Sequence, residues 1–193
     1  MATLCIGDSH VKRLKLHLSA YRSSSSAYNI AGLCPVYYFG ISGGLVSCDR
    51  HLELLSTAVR RHNPHHLIVS LGGNDLDDNE SDWSAECVVS KLVSFLTLLR
   101  TRYTLKTVTV LSYFPRLRTR SISPEIYKLR VIETNNLLQH WCINHHLTVW
   151  RLRGFTESKH EVLCDGVHLN HYGYYKLIRQ LRGILLRHHR ISQ

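Results

Sequence analysis

Residues 4–10, Leu-Cys-Ile-Gly-Asp-Ser-His, pass from an apolar run into a polar turn. The run predicts a first strand over residues 4–7, and the residues that follow predict a helix over residues 11–18. Ser9 would then lie between the carboxyl end of a strand and the positive end of a helix dipole. A serine there is either a helix N-cap or a nucleophile. As a nucleophile it needs a base, a group that orients the base, and oxyanion donors.

Apolar strands alternate with helical segments along the whole sequence. The further predicted strands cover residues 36–41, 67–71, 107–111 and 147–150, and the further helices cover residues 51–61, 81–103 and 124–146, with a last helix after Asn170. Strands that are apolar throughout and separated by helices indicate an α/β fold with a parallel sheet covered on both faces. Ligand sites in such folds lie outside the carboxyl ends of the strands.

The helices carry more detailed expectations. Residues 81–83, Ser-Asp-Trp, are a candidate N-cap for one helix, and Pro124 suits the first position of the next. We expect that next helix to bury Ile132, Leu137, Leu138, Trp141 and Cys142, and the last helix to bury Leu177, Ile178, Leu181, Ile184 and Leu185. Residues 116–123 predict a basic loop.

Length and composition predict a single globular domain over residues 1–193, with 44% hydrophobic and 20% charged residues. The six cysteines form no Cys-x-x-Cys pair, which favours free thiols in a reducing compartment over a disulfide framework. The sequence shows no apolar run of membrane-spanning length and no signal-peptide pattern, so we expect a cytoplasmic protein.

The net charge of +10 favours an anionic partner such as nucleic acid. Acidic residues cluster within residues 75–86, so the rest of the chain is more basic still. A basic surface that is simply solvated explains the same composition, and both interpretations stay open.

Chemistry-bearing residues follow the predicted strands. They are Gly-Asp-Ser at 7–9, Ile-Ser-Gly-Gly at 41–44, Gly-Gly-Asn-Asp at 72–75 and Asp-Gly-Val-His-Leu-Asn at 165–170. A parallel sheet would bring all four to one edge. Asp165 is close enough in sequence to bond the Nδ1–H of His168, whose Nε2 would then face Ser9. Candidate oxyanion donors are the N–H groups of Ser9 and Gly43 and the side-chain amide of Asn74.

These four blocks, in this order, resemble the SGNH (GDSL-like) hydrolase superfamily over almost the whole chain. The resemblance implies a three-layer α/β/α sandwich with a five-stranded flavodoxin-like parallel sheet. It also implies a serine esterase acting on small acyl esters or lipids without a cofactor. Ser9 matches the nucleophile, His168 and Asp165 the other triad members, and Gly43 and Asn74 the oxyanion donors. The chain departs from the pattern with His10 after the serine and Leu169 after the histidine.

Several plainer interpretations stay open beside these. Asp8 and Asp75 are predicted to hold loops by accepting backbone N–H bonds, and His10 is a weaker candidate for the base. The other histidines lack metal-ligand spacing, so we expect no metal site. Loops at residues 19–34, 77–83 and 116–123 are expected to set substrate choice.

The opening Gly-Asp-Ser-His-Val-Lys-Arg and the high basicity also resemble esterase domains encoded by animal retrotransposons. That resemblance would make RNA or a membrane lipid a neighbour of the domain. The alternative to an esterase is therefore a weak or inactive SGNH-fold module that binds RNA or anionic lipid through its basic surface.

Overall fold

The computed structural model describes residues 2–20, 35–79, 84–145, 147–155 and 163–191. Its strands are β1 (Thr3–Gly7), β2 (Val36–Gly40), β3 (His66–Ser70), β4 (Thr107–Leu111) and β5 (Thr148–Trp150). Its helices are α1 (Ser9–Ala20), α2 (Asp49–His62), α3 (Ala85–Arg102), α4 (Pro124–Asn144) and α5 (His171–Ile191), and a 3₁₀ turn covers Asp75–Asp77. Most of the predicted loop at 19–34 and part of the one at 77–83 lie outside the described residues.

The five strands form one parallel sheet in the order β2-β1-β3-β4-β5. In the register, Gly7 of β1 lies opposite Gly40 of β2 and Ser70 of β3. β2 and β3 lie on opposite sides of β1, so the direction in which successive strands are added reverses between β1 and β3. In open parallel sheets, ligands bind beside the carboxyl ends of the strands at such a reversal.

Alternate residues of each strand belong to two separate hydrophobic cores, one on each face of the sheet. Leu67 and Val69 of β3 pack in the core beneath α2, α3 and α4, whereas Ile68 packs in the core beneath α1 and α5. Side chains of a strand point to opposite faces in turn, so a strand covered on both sides is apolar at most positions. The expected α/β/α layering is therefore confirmed.

Serine side chains cap α3 and α4. The Oγ of Ser84 accepts the N–H of Cys87 at 3.2 Å, and the Oγ of Ser123 accepts the N–H of Ile126 at 3.3 Å. Residues 81–83, predicted as the cap of α3, lie outside the described residues, and the cap itself is Ser84. Pro124 is the first residue of α4, as predicted.

The predicted buried face of α4 is partly wrong. Ile132 is 49% exposed, and the buried face carries Tyr127, Val131 and Thr134 together with the predicted Leu138 and Cys142. The apolar residues of α4 lie on several sides of the helix, so their spacing alone does not indicate which side packs against the core. The predicted stripe on α5 is buried at all five positions, which are Leu177, Ile178, Leu181, Ile184 and Leu185.

The five cysteines within the described residues are free thiols, and Cys5 and Cys142 among them are buried. In the described part of the chain, no helix is both long enough and apolar enough to cross a bilayer.

Candidate active site

Ser9, His168 and Asp165 form a continuous chain of hydrogen bonds. Ser9 is the first residue of α1, directly after β1, and its Oγ lies 3.0 Å from Nε2 of His168. Nδ1 of His168 lies 2.7 Å from Oδ2 of Asp165. A carboxylate can only accept, so Nδ1 carries the proton and donates to Asp165. Nε2 is then the acceptor for the Ser9 hydroxyl.

The turn around Asp165 fixes its carboxylate against His168. Oδ1 of Asp165 accepts the backbone N–H of His168 at 2.6 Å and that of Val167 at 2.9 Å. Burial raises the pKa of Asp165, but the hydrogen bonds from the backbone and ring of His168 and from Val167 outweigh it. The pKa of Asp165 is therefore held well below its usual value, and the carboxylate stays ionised beside the imidazole.

A cleft of about 430 Å³ opens over this chain of hydrogen bonds. Its lining residues are Ser9, Lys12, Arg13, Leu16, Ser42, Gly43, Asn74, Asp77, Arg116, Arg120, Val167 and His168. The structure thus brings four of the five predicted site residues to one cavity. Asp165 lies behind His168 and is not part of the lining.

Three groups in the cleft can donate hydrogen bonds to a developing oxyanion. The N–H of Ser9 belongs to the first turn of α1, where no intrahelical acceptor exists. Gly43 has φ 66°, a conformation that favours glycine, in the turn after β2. In the described part of the chain, these two N–H groups donate to no other group. Asn74 donates one amide hydrogen to the carbonyl of Gly44 at 3.0 Å and keeps a second one.

Arg116 orients Asn74, a role that sequence analysis missed. Its side chain is 4% exposed, although residues 116–123 were predicted to be a basic loop. Nη2 of Arg116 donates to Oδ1 of Asn74 at 3.0 Å, and Nη1 donates to Oδ2 of Asp77 at 3.3 Å. The guanidinium also lies 5.0 Å from the ring centre of Tyr127. Because Oδ1 is occupied by Arg116, the amide nitrogen of Asn74 is the atom left for Gly44 and the cleft.

Two buried carboxylates hold the backbone around the cleft, as predicted. Asp75 accepts the N–H groups of Val46 and Ser47, both at 2.9 Å, and so ties down the segment that follows Gly43. Asp8 accepts the N–H of His10 at 2.8 Å. Burial raises the pKa of Asp8 to about 6, and the hydrogen bond from His10 and the charge of Arg116 oppose that rise.

His10 is packed against the site as a buried neutral ring. It is 6% exposed, with its centroid 5.0 Å from that of Phe114 and 5.5 Å from that of His168. Burial, reinforced by the charge of Arg116, lowers the pKa of His10 to about 3. The hydroxyl of Ser9 meets His168, so the geometry favours His168 over His10 as the base. Among the described residues, no cluster of three or more potential ligands could hold a metal ion.

The parallel sheet and the serine–histidine pair at its carboxyl edge define an α/β hydrolytic enzyme. The chain belongs to the GDSL-like lipase/acylhydrolase family, whose model matches residues 5–176. It is therefore a serine hydrolase that acts on carboxylic ester bonds.

Solved structures share this fold. A GDSL-like lipase from Bacteroides thetaiotaomicron has a TM-score of 0.73 and 14% identity, over 96% of this chain and 88% of that one. An acetyl xylan esterase has a TM-score of 0.71 and 14% identity, over 95% and 99% of the two chains. A lipolytic protein of the G-D-S-L family from Veillonella parvula has a TM-score of 0.69 and 17% identity, over 97% and 99%. Comparison with curated protein sequences gave no significant match.

Proposed function

We propose that this chain hydrolyses small carboxylic esters, acetyl or short acyl, through a Ser9–His168–Asp165 triad and an acyl-enzyme intermediate. The observation that carries the proposal is the unbroken hydrogen-bond chain from Asp165 to Ser9, which ends in the cleft. A cleft of about 430 Å³ suits a small ester better than a long acyl chain.

In the acylation step, Ser9 Oγ attacks the ester carbonyl carbon while its proton passes to Nε2 of His168. The carboxylate of Asp165 stabilises the imidazolium that forms. The N–H groups of Ser9 and Gly43 and the amide of Asn74 stabilise the oxyanion, and each well-placed donor contributes about 3 kcal/mol.

The tetrahedral intermediate then collapses, and the C–O bond to the alcohol breaks. His168 returns its proton to the leaving alcohol oxygen, which leaves the acyl group on Ser9. Water next attacks this ester, with His168 again as general base, and the carboxylic acid departs as Ser9 regains its proton. Each deacylation restores the starting protonation state, so the triad needs no external reductant, oxidant or metal.

The test is hydrolysis of 4-nitrophenyl acetate by the wild type and by Ser9→Ala. We expect release of nitrophenol by the wild type and loss of at least a thousandfold in kcat for Ser9→Ala. Ser19→Ala is the control, because Ser19 lies on the same helix, does not line the cleft, and donates through its Oγ to the carbonyl of Lys15. A fluorophosphonate probe should add its mass to the wild type and to Ser19→Ala but not to Ser9→Ala. Equal rates for wild type and Ser9→Ala would overturn the proposal.

Binding of RNA is a second candidate function, favoured by a basic groove between β5 and α5. The groove has a volume of about 710 Å³, and no carboxylate is among its described lining residues. Its lining includes Trp150, Arg151, Arg153, Lys176, Arg179 and Arg187. Cationic side chains beside an aromatic ring suit the phosphates and bases of a single strand.

Fluorescence anisotropy with a labelled single-stranded RNA tests this second function. Binding should weaken steeply between 50 and 200 mM salt, roughly a hundredfold if several phosphates are contacted. It should survive Ser9→Ala and fall in the double variant Arg179→Gln/Arg187→Gln. Binding to anionic vesicles without binding to RNA would contradict the RNA interpretation.

A further inference from the structure

One face of α1 carries both the nucleophile and a set of cationic side chains. Lys12, Arg13 and Leu16 follow Ser9 by three, four and seven residues, and all of them line the cleft. Residues at these spacings share one face of a helix. The rise of a helix places Lys12 and Arg13 about one turn, roughly 5 Å, beyond Ser9 along the axis. Any ester bound at Ser9 therefore lies beside this face.

The charges that line the cleft do not cancel. Among the described lining residues, Asp77 is the one carboxylate, and it pairs at 3.3 Å with Arg116. Both side chains of that pair are buried, so they neutralise each other. Arg120 lies farther from Asp77, with Nε at 3.8 Å, and its side chain is 66% exposed. The exposed guanidinium of Arg120 therefore keeps most of its charge available to a ligand.

Lys12 is the cation best placed to meet a substrate. Its Nζ donates to Oγ of Ser42 at 2.9 Å, which holds the ammonium next to Gly43, the proposed oxyanion donor. A hydroxyl carries no charge, so two of the three ammonium donors and the full charge remain for a ligand. Arg13 contributes less, because its Nη2 lies 3.9 Å from Oδ2 of Asp165, a carboxylate already engaged with His168.

We propose that the cleft selects esters that carry an anionic group, a carboxylate or a phosphate, near the scissile bond, and that Lys12 and Arg120 bind that group. This inference rests on the esterase function proposed above and names the substrate class for the same site. Lys12 on α1 and Arg120 on the loop before α4 reach the cleft from different segments of the chain. Both cations line the same cleft, so an anion bound there lies in the positive field of both. Partly exposed charge pairs of this kind predict a preference of about tenfold over a neutral ester.

Matched ester pairs test the inference. 4-Acetoxybenzoate is compared with its neutral methyl ester, and 4-acetoxyphenyl phosphate with its neutral dimethyl ester. Each kcat/KM is divided by the rate constant for alkaline hydrolysis of the same compound, which removes differences in leaving-group reactivity. We expect a corrected preference of about tenfold for the anionic member at 20 mM salt, and a smaller one at 500 mM salt. The two arms distinguish a carboxylate from a phosphate ligand.

Three variants test whether Lys12 causes the preference for anionic esters. Lys12→Gln should lower the anionic-to-neutral ratio about fivefold, chiefly through KM of the anionic ester, and Lys12→Arg should retain most of it. Lys15→Gln is the control, since Lys15 is exposed on the same helix and does not line the cleft. If Lys15→Gln lowers the ratio as much as Lys12→Gln does, general surface charge explains the preference and the inference is wrong.

The experiment distinguishes failure of the anion preference from failure of the esterase function. A wild type that cleaves both members of each pair with a corrected ratio near one overturns the anion preference and leaves the esterase function standing. A wild type that cleaves 4-nitrophenyl acetate but none of the four esters also overturns the anion preference alone. A wild type that cleaves none of these five compounds overturns the esterase function, and the anion preference falls with it.

Discussion

In the proposed mechanism, Asp165 sets the tautomer of His168, so replacing it should lower the rate of the chemical step far more than substrate affinity. In Asp165→Asn, the amide nitrogen can donate to Nδ1, which moves the imidazole proton to Nε2 and leaves no acceptor for the Ser9 hydroxyl. We expect kcat for 4-nitrophenyl acetate to fall about 10⁴-fold, with KM changed by no more than a few fold. Steady-state kinetics of the purified variant measures both values.

The backbone hydrogen bonds at Asp165 make this substitution informative. Oδ1 accepts the N–H groups of Val167 and His168, and an asparagine oxygen can accept the same two bonds. The turn should therefore persist, and circular dichroism should show an unchanged fold. A loss of less than tenfold in kcat would mean that Asp165 does not orient the base.

In the proposed mechanism, Arg116 acts on the reaction by orienting Asn74, so Arg116→Lys tests whether the geometry of this side chain matters in addition to its charge. Arg116→Lys keeps a cation next to buried Asp77, but an ammonium lacks the planar fork that reaches Asn74 and Asp77 together. Asn74 then loses its fixed orientation, and we expect kcat to fall about tenfold with little change in KM.

Arg118→Lys is the matched control for Arg116→Lys. Arg118 is exposed on the same loop and does not line the cleft. Its replacement should leave kcat within a factor of two. If Arg116→Lys raises KM and leaves kcat unchanged, Arg116 contacts substrate directly and is not a positioning residue.

At the scale of elements, the 3₁₀ turn after β3 holds the segment after β2 through Asp75. This carboxylate is 1% exposed and accepts two backbone N–H bonds, from Val46 and Ser47. In Asp75→Ala, both N–H groups lose a charged partner, so we expect the free energy of unfolding to fall by about 2–4 kcal/mol. Urea denaturation measures the change.

Asp75→Asn should have an intermediate effect on stability. Asparagine keeps one acceptor oxygen and no charge, so its loss of stability should fall between those of the wild type and Asp75→Ala. Glu53→Ala on α2 removes an exposed carboxylate and should shift the unfolding free energy by less than about 0.5 kcal/mol. Similar shifts for Asp75→Ala and Glu53→Ala would show that the hydrogen bonds of Asp75 to Val46 and Ser47 contribute nothing to stability.

The sequence predicted the strands well, because each strand carries a run of apolar or β-branched residues between helical segments. The predicted strand at residues 107–111 matches β4, and the other strands match within one residue at each end. Parallel strands put their carboxyl ends on one edge, so the residues after β1, β2 and β3 could be assigned to one cleft from connectivity alone.

Residue-level contacts between distant segments could not be predicted in the same way. The sequence offers Arg116, Arg118 and Arg120 in one loop, and nothing in their spacing says that Arg116 is the one that enters the protein. Burial of that arginine depends on Asp77 and Asn74, about 40 positions earlier in the chain. Ile132 is exposed for a similar reason, since contacts with distant segments determine which face of α4 is buried.

For the molecule as a whole, buried titratable groups couple stability to pH. Burial lowers the pKa of His10 to about 3, and burial together with the charge of His188 lowers that of His66 to about 3. An unfolded chain protonates both histidines below pH 6.5 while the folded protein keeps them neutral, so acid favours unfolding. Asp8 opposes this trend, because burial raises its pKa to about 6 and the folded state gains that proton first.

These three groups predict a dependence of stability on pH that one substitution should reduce. Between pH 6 and 4, the unfolded state holds about two protons at His10 and His66, whereas the folded state holds about one at Asp8. From these three groups, the net difference of one proton lowers the free energy of unfolding by about 1.4 kcal/mol for each unit by which the pH falls. His66→Gln removes one of the two histidine protons, so its unfolding free energy should fall by about 1.4 kcal/mol less per pH unit than that of the wild type. His140→Gln, at an exposed position of α4, should keep the wild-type slope. Urea denaturation at pH 6, 5 and 4 measures all three proteins, and parallel slopes for wild type and His66→Gln would show that His66 is protonated in the folded protein.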